Sequence, residues 1–504
     1  MELPENMTVN DLPPEMMEKI FEHLTFHERL LISATCKLWH KVIFGPQFCK
    51  RLFLHLRTLD DLVKKPYAKE MMGRCRNVNV SCSHFGENEL KLLKDYMSGS
   101  SLEKLKISTS TQTGKHIVEA ALQVLIELET LHLDLQGSYD GEVIQISHPK
   151  LKRIVLNGQW NYVIECGSLT TLESNQVNEI SAQGVGALRR QLRSLKLSGL
   201  HKDLFNAATS DIISSSRWDY LRELCFIYPP SLEHLERMLE KMPCLESLSL
   251  YKSNQIVTGK ELAPATRLSE LTLGKQCIET VSLNIFLARS SLHRLSLLNC
   301  TFCATNVPLT SDSIERLSFQ PVYGELLPLF PNLKVLDVEG TQETDFSSIL
   351  KQISKNYKRL ERLTIGVKCG EIGQFAVCLA TEASLTIPFS LPTELDRLKV
   401  IQINRMDLNK IDWIACTGSK VEYIRLNGCS INGIGCKNLV QTFKHLRTLY
   451  LDHCYLRLPR ADLFDIDETC SKGLRTYAPH CKISYYDCHI EDLYDYCGRS
   501  GPVI

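Results

Sequence analysis

Residues 245–273 read LESLSLYKSNQIVTGKELAPATRLSELTL, and the same six-residue pattern is found at the beginning and at the end of this stretch. The pattern is Lxx(L/I/V)x(L/I/V/F), and its fourth and sixth residues place two apolar side chains on one face of a short strand. The third and fifth residues then face solvent. Because one such strand cannot bury its own apolar face, the pattern predicts a stack of parallel strands in which each repeat covers the next.

The pattern recurs along most of the chain, with most start-to-start spacings between 18 and 29 residues. Clear copies begin at Leu102, Leu128, Leu151, Leu192, Leu221, Leu245, Leu268, Leu292, Ile314, Leu333, Leu360, Leu398, Val421 and Leu446, and degenerate copies at Cys75 and Leu169. Repetition at this period predicts a solenoid. One spacing of 38 residues follows Leu360, and residues 366–397 there are either a degraded repeat around LTIPFS or an inserted loop.

The segments between the strands carry helical spacing. In LEHLERMLEKM, apolar residues Leu232, Leu235, Met238 and Leu239 lie on one helical face, and GKHIVEAALQVLIEL behaves in the same way. These segments predict a layer of helices packed behind the strands.

The repeats resemble leucine-rich repeats over residues 75–455. Cys300, Cys429 and Cys454 each stand eight residues past the start of their unit, as in the cysteine-containing subclass of these repeats. The resemblance implies an α/β fold, a leucine-rich-repeat solenoid shaped as a horseshoe. It implies a binding surface without identifying the partner.

A different pattern precedes the repeats, in LPPEMMEKIFEHL at residues 12–24. Prolines suit the opening of a helix, and Glu15 complements its positive end. Two further short helices are predicted in HERLLISATC and KLWHKVI. Three such helices make a core that is marginal on its own, so part of the apolar surface is expected to meet a partner.

These helices resemble an F-box, whose motif order is reproduced without a gap by Leu12, Pro13, Glu15, Ile20, Leu24, Leu30, Cys36 and Trp39. Met16 and Met17 replace the usual Ile or Leu, a volume-conserving change. The tryptophan that usually follows the third helix is missing, and Phe48 or Phe53 stands in its region. The resemblance implies docking onto a Skp adaptor, and through it a cullin scaffold, by Leu12, Pro13, Met16, Ile20, Leu24, Leu30, Cys36 and Trp39.

The two resemblances divide the chain into an F-box domain (7–54), a linker or helical cap (55–74), a solenoid (75–455) and a C-terminal cap or tail (456–504). They imply a non-catalytic substrate-recognition subunit of a Skp–cullin–F-box (SCF) ubiquitin ligase, which holds proteins for ubiquitination and degradation. The alternative is a binding scaffold or inhibitor whose N-terminal helices only cap the solenoid. The aromatic segment after Cys454 is a cap over the last strand or a substrate-contacting tail.

Composition excludes several classes of function. With 58 basic and 58 acidic residues no global field favours nucleic acid, and no apolar run reaches the ~18 residues of a membrane span. The N-terminus lacks the basic region of a secretory signal, so we expect a cytoplasmic or nuclear protein with 20 reduced cysteines. The CTFC motif at Cys300 lacks a second pair for zinc, and no catalytic motif or cofactor site is expected.

The solvent-facing strand positions are the predicted target surface. Arginine and tyrosine are frequent there in the later repeats, at Arg294, Arg316, Arg362, Tyr423, Arg425 and Tyr450. Adjacent strands lie about 4.8 Å apart, so Arg294 and Arg316 are expected to be neighbours. Arginines in such a row can pair with an acidic or phosphorylated peptide. The other interpretation is an ordinary solvated surface, partly neutralised by Asp337 and Glu361.

Overall fold

The chain forms two compact units, residues 1–230 with 240–245, and residues 231–239 with 246–504. The structure is a computed structural model. It describes residues 9–22, 24, 26–45, 53–56, 75–82, 91, 94–95, 101–109, 114–175, 184–198, 213, 216–253, 255–303, 307–321, 327–341, 344–367, 395–408, 420–458, 481–486 and 489–492.

The N-terminal part of the first unit is helical, as its sequence predicts. A single 3-10 turn over Val9–Asp11 leads into three α-helices: α1 (Pro14–Glu22), α2 (Phe26–Ser33) and α3 (Lys37–Ile43). Helix α1 begins at a proline, and the carbonyl of Pro13 accepts the amides of Met16 and Met17 at 2.9 and 3.1 Å. Proline is well placed here because the first helical amide has no partner inside the helix.

The other described residues of the first unit include a ladder of parallel strands in which each strand pairs with the next along the chain. Helix α4 (Gly114–Val124) connects two of them. The strands are β1 (Phe53–Leu56), β2 (Asn77–Cys82), β3 (Lys104–Thr109), β4 (Thr130–Ser147), β5 (Arg153–Glu165), β6 (Thr171–Ser174), β7 (Ser194–Ser198) and β8 (Glu223–Ile227).

The second unit has a longer parallel ladder, two short three-stranded sheets and four α-helices among its described residues. The ladder contains β9 (Ser247–Tyr251), β11 (Glu270–Gly274), β13 (Arg294–Leu298), β15 (Arg316–Gln320), β16 (Val335–Gly340), β17 (Arg362–Val367), β18 (Val400–Asn404), β19 (Tyr423–Asn427), β21 (Thr448–Asp452) and β23 (Lys482–Tyr486). The short sheets are β10 (Ile256–Val257), β12 (Cys277–Ile278) and β14 (Thr301–Phe302), and β20 (Ser430–Asn432), β22 (Tyr455–Leu458) and β24 (His489–Asp492). The helices are α5 (Leu232–Leu239), α6 (Thr280–Arg289), α7 (Phe346–Asn356) and α8 (Gly433–Thr442).

The strand register follows the repeat pattern. Third-position residues pair with third-position residues, as Glu270 does with Arg294 and Arg294 with Arg316. Fourth- and sixth-position side chains are buried, with Leu271 and Leu273 both 0% exposed. The alternation therefore predicted the strand faces correctly, and the result is a mixed α/β fold with extensive parallel pairing. The horseshoe curvature stays a prediction.

Two paired strands flank the long spacing after Leu360. Strands β17 and β18 pair directly, from Arg362 with Val400 to Gly366 with Asn404. The central part of that segment, residues 368–394, lies outside the described residues. The degraded repeat and the inserted loop therefore both stay predictions for residues 366–397.

Two strands extend the ladders beyond the repeats found in the sequence. Strand β1 pairs with β2, and the predicted boundary between residues 54 and 55 falls inside it. Strand β23 pairs with β21, within the segment expected to be a cap or tail. The described part of that segment therefore continues the parallel pairing.

A tight turn follows many ladder strands in the second unit. The residue after the strand has a positive φ at Lys252 (58°), Lys275 (53°), Asn299 (53°), Arg405 (55°), Gly428 (63°) and His453 (50°). The next residue in three of these turns is a cysteine whose thiol donates to a carbonyl of the preceding repeat: Cys300 to Leu273 at 3.1 Å, Cys429 to Ile403 at 3.3 Å and Cys454 to Leu426 at 3.3 Å. The cysteine offset noted in the sequence thus corresponds to a bond between repeats.

Candidate functional site

The three N-terminal helices have a small shared core. Met17, Phe21, Val42 and Ile43 are its buried members, with 1, 2, 6 and 2% of each residue exposed. Partly buried apolar residues packed against this core are Leu12, Leu24, Ile32, Trp39 and Phe44. Leu12, Leu24 and Trp39, predicted to contact an adaptor, thus each have part of their surface inside the domain.

Polar contacts fix the third helix against the N-terminal turn. The Sγ of Cys36 accepts the amide of Trp39 at 3.4 Å and caps α3. The indole of Trp39 donates to Oδ1 of Asn10 at 2.7 Å, and its ring packs at 5.6 Å from that of Phe21. Cys36 and Trp39 therefore have structural roles in this domain, whatever surface they also present. Asn10 was missed in the sequence, because nothing in its neighbourhood marks it as a partner for an indole 29 residues away.

Helix α1 also has a second apolar face that the domain does not cover. Met16 is 47% exposed and Ile20 is 43% exposed, and residues four apart lie on one side of a helix. Pro13 precedes them and is exposed as well. The side chain of Leu30, which was also predicted to contact an adaptor, lies outside the described residues. Helix α1 thus has two apolar faces, one buried in the domain and one exposed.

The predicted target residues fall into two groups on the second ladder. In the first group, Arg294, Arg316 and Arg362 occupy third positions of β13, β15 and β17. Val335 of β16 stands between the last two, so Arg316 and Arg362 are two strands, or about 9.6 Å, apart along the sheet. Nη1 of Arg294 donates to Oε1 of Glu270 at 2.9 Å, which neutralises one end of the row.

Arg316 and Arg362 differ from Arg294 in their partners. Both are exposed, and neither guanidinium makes a hydrogen bond or ion pair with another described residue. Asp337 and Glu361, the carboxylates expected to neutralise the row, form no ion pair with these arginines. Two cationic side chains thus flank an apolar one on an open strand face.

The second group surrounds Arg425 on β19. Its guanidinium donates to Oδ2 of Asp452 at 2.5 Å and lies over the ring of Tyr450, 5.5 Å from the centroid. The hydrogen bond to Asp452, whose side chain is 10% exposed, raises the pKa of Arg425. Tyr423 occupies the third position of the same strand. Because the charge of Arg425 is paired, this group is an aromatic and hydrogen-bonding surface and not a free cation.

The described residues contain no cluster of three or more histidine, cysteine or acidic side chains that would hold a metal ion. None of the described helices is long and apolar enough to cross a membrane.

Comparison with known proteins gives the N-terminal helices a family. Residues 9–55 match the F-box-like family model. The match covers the three helices, their small core and all but the last residue of strand β1. A solved structure of a leucine-rich-repeat protein from Leptospira interrogans is 14% identical, with a TM-score of 0.33 over 88% of this chain and 98% of that one. The description of the repeats therefore rests on the strand pairing of this chain itself.

Proposed function

We propose that the chain is the substrate-recognition subunit of an SCF-type ubiquitin ligase. The observation that carries the proposal is the F-box-like match at residues 9–55. The first helix of this region, α1, exposes the apolar side chains of Met16 and Ile20 to solvent. F-box domains typically bind Skp adaptors, which connect them to a cullin scaffold. In this proposal α1 docks on the adaptor and the repeats hold the target protein, in the cytoplasm or the nucleus.

The chain itself performs no chemistry in this mechanism. A ubiquitin-conjugating enzyme on the cullin scaffold supplies the reactive thioester, and the receptor supplies proximity. Holding a target beside that enzyme turns an encounter in solution into a reaction within one complex, which raises the effective concentration of the target lysine. The requirement on this chain is two binding surfaces that can be occupied together.

The target surface in this proposal is the row that contains Arg316 and Arg362. A guanidinium that has no partner among the described residues offers two parallel donors to a carboxylate or phosphate, and charge-assisted hydrogen bonds of this kind are about twice as strong as neutral ones. Val335 between the arginines gives an apolar contact. These features support an acidic or phosphorylated segment as the bound element of the target.

Adaptor docking is tested by co-purification of the full-length chain with its Skp adaptor. Recovery of the adaptor, and its loss when Met16 and Ile20 are both changed to alanine, supports the ligase assignment. A well-folded chain that recovers no adaptor would overturn it and favour the scaffold or inhibitor alternative.

Target capture is tested separately in cells in which the proteasome or cullin neddylation is blocked. We expect Arg316→Glu with Arg362→Glu to lose the proteins that accumulate on the receptor while adaptor recovery is unchanged. Arg237→Glu with Arg289→Glu, on α5 and α6, changes net charge equally and serves as the matched control. Unchanged capture by the strand-face variant would refute the arginine row as the target surface.

A further inference from the structure

The CTFC motif at Cys300–Cys303 has the spacing of a redox-active pair, but the fold separates its two cysteines. Cys300 is 1% exposed, and its thiol donates to the carbonyl of Leu273 in the preceding repeat. It is thus directed into the stack of repeats, where solvent oxidants have no access. Cys303 stands after β14 and is partly exposed.

The partner of Cys303 is Cys277, a residue from the preceding repeat. The two Sγ atoms are 2.9 Å apart, and Cys277 is also partly exposed. The backbone fixes this approach, because β12 and β14 pair in parallel and the amide of Cys303 donates to the carbonyl of Ile278 at 2.9 Å. The hydrogen bond between the two thiols raises the pKa of Cys303.

We propose that Cys277 and Cys303 form a reversible disulfide when the protein meets a peroxide. One thiol attacks the peroxide oxygen, loses its proton and becomes a sulfenic acid, while the peroxide is reduced to water or an alcohol. The second thiol then attacks the sulfenic sulfur, the S–S bond forms and water leaves. Two thiols are oxidised by two electrons in total, and one peroxide accepts those electrons.

Accessibility distinguishes this pair from a second pair of neighbouring thiols in the part of the chain that the structure describes. Cys429 and Cys454 are also neighbours, but both are 0% exposed and each thiol donates to a backbone carbonyl. Reversible disulfides in intracellular proteins are usually redox-sensing, and a thiol reacts only where the oxidant can reach it. The partly exposed pair is therefore the one that peroxide reaches.

The disulfide would join two successive repeats beside the target surface. Strand β12 follows β11, which carries Glu270, and β14 follows β13, which carries Arg294. A covalent bond between the short strands restricts any separation of these two repeats. Peroxide would thereby fix the spacing of the Glu270–Arg294 pair at the end of the arginine row.

Peptide mapping of the full-length chain tests the proposal. The chain is treated with hydrogen peroxide, free thiols are alkylated, and trypsin is added without reductant. Cys277 lies alone in peptide 276–289, whereas Cys300 and Cys303 share peptide 295–316. We expect the two peptides to be joined, with fragmentation locating the bond at Cys303 and a dithiol reductant releasing it.

Three variants make the result decisive. Cys277→Ser and Cys303→Ser should each abolish the joined peptide, whereas Cys225→Ser, which removes a partly buried cysteine of another repeat, should leave it intact. A bond between Cys300 and Cys303, or free Cys277 and Cys303 thiols under conditions that oxidise other cysteines, would overturn the proposal. Formation of sulfinic acid at either residue without the joined peptide would overturn it as well.

Discussion

Truncating the open face of α1 should weaken adaptor binding without unfolding the domain. Met16 and Ile20 are 47 and 43% exposed, so roughly half of each residue remains to be buried by a partner. Full burial of such a side chain contributes about 1.5–3 kcal/mol. Half of that for two residues gives about 1.5–3 kcal/mol, which corresponds to a loss of affinity of about 10- to 100-fold in Met16→Ala with Ile20→Ala.

The assay is a titration of purified adaptor against the full-length chain by calorimetry or interferometry. A matched control is available on α6, where Val281 and Ile285 are also four residues apart and are 46 and 52% exposed. Val281→Ala with Ile285→Ala removes a similar apolar area from a repeat helix and should leave the affinity unchanged. Thermal denaturation of both double variants should match the parent, because surface changes usually alter stability by less than about 0.5 kcal/mol.

The reasoning would be refuted by either of two results. Equal losses of affinity in the two double variants would show that the loss does not come from the α1 face. An unchanged affinity in the α1 variant would show that the adaptor does not use this face. Met17→Ala must be kept apart from this comparison, because Met17 is 1% exposed and its truncation should destabilise the domain by about 2–5 kcal/mol.

Three further results are expected from individual contacts. Trp39→Phe and Asn10→Ala should each lower the free energy of unfolding of the helical domain by about 1 kcal/mol, because each removes the same hydrogen bond. The double variant should lose no more than either single variant, and hydrogen exchange of the α3 amides measures these differences. His132 has a pKa lowered below 6.5 by burial and then by Lys106, so the folded state favours its neutral form. Stability relative to His132→Gln should therefore fall as pH drops from 6.5 towards the folded pKa, and an NMR-measured pKa at or above 6.5 would contradict this. Tyr357→Phe should destabilise the second unit by about 1–3 kcal/mol in thermal denaturation, because it leaves the buried carbonyl of Pro328 without its donor, whereas Tyr423→Phe should have little effect.

The regular part of the fold could be predicted from local pattern. Alternating apolar residues fix which strand face is buried, and a one-residue slip would expose every one of them, so the register follows from the sequence. The sequence pattern did not predict strands β1 and β23, because Arg51 and His480 occupy the position of the first leucine in the pattern. Each of these strands pairs on one side only among the described residues, so fewer apolar contacts constrain its sequence.

The candidate sites were harder to predict from the sequence than the strands, because the sites depend on contacts between side chains of different repeats. Glu270 and Arg294 both occupy the third position of their repeats and lie opposite each other on neighbouring strands. A comparison of third positions across successive repeats would therefore have found this pair. Asp452 reaches Arg425 diagonally, from a different position of the next strand, and that choice depends on side-chain rotamers. The proximity of Cys277 and Cys303 is of the same kind, since sequence alone pairs Cys303 with Cys300.

Because of the positive-φ turns in the second unit, the stability of a repeat depends on the repeat that follows it along the chain. A non-glycine residue in this conformation costs about 1–2 kcal/mol, and the amide of the strained residue donates to the next repeat, as Lys252 does to Gly274 and Lys275 to Leu298, both at 2.7 Å. A repeat at a C-terminal truncation would keep the strain and lose the bond that offsets it. Deletions from the C-terminal end should therefore destabilise the repeat that becomes last more than its lost apolar contacts alone predict, and a glycine at its turn should restore part of the difference.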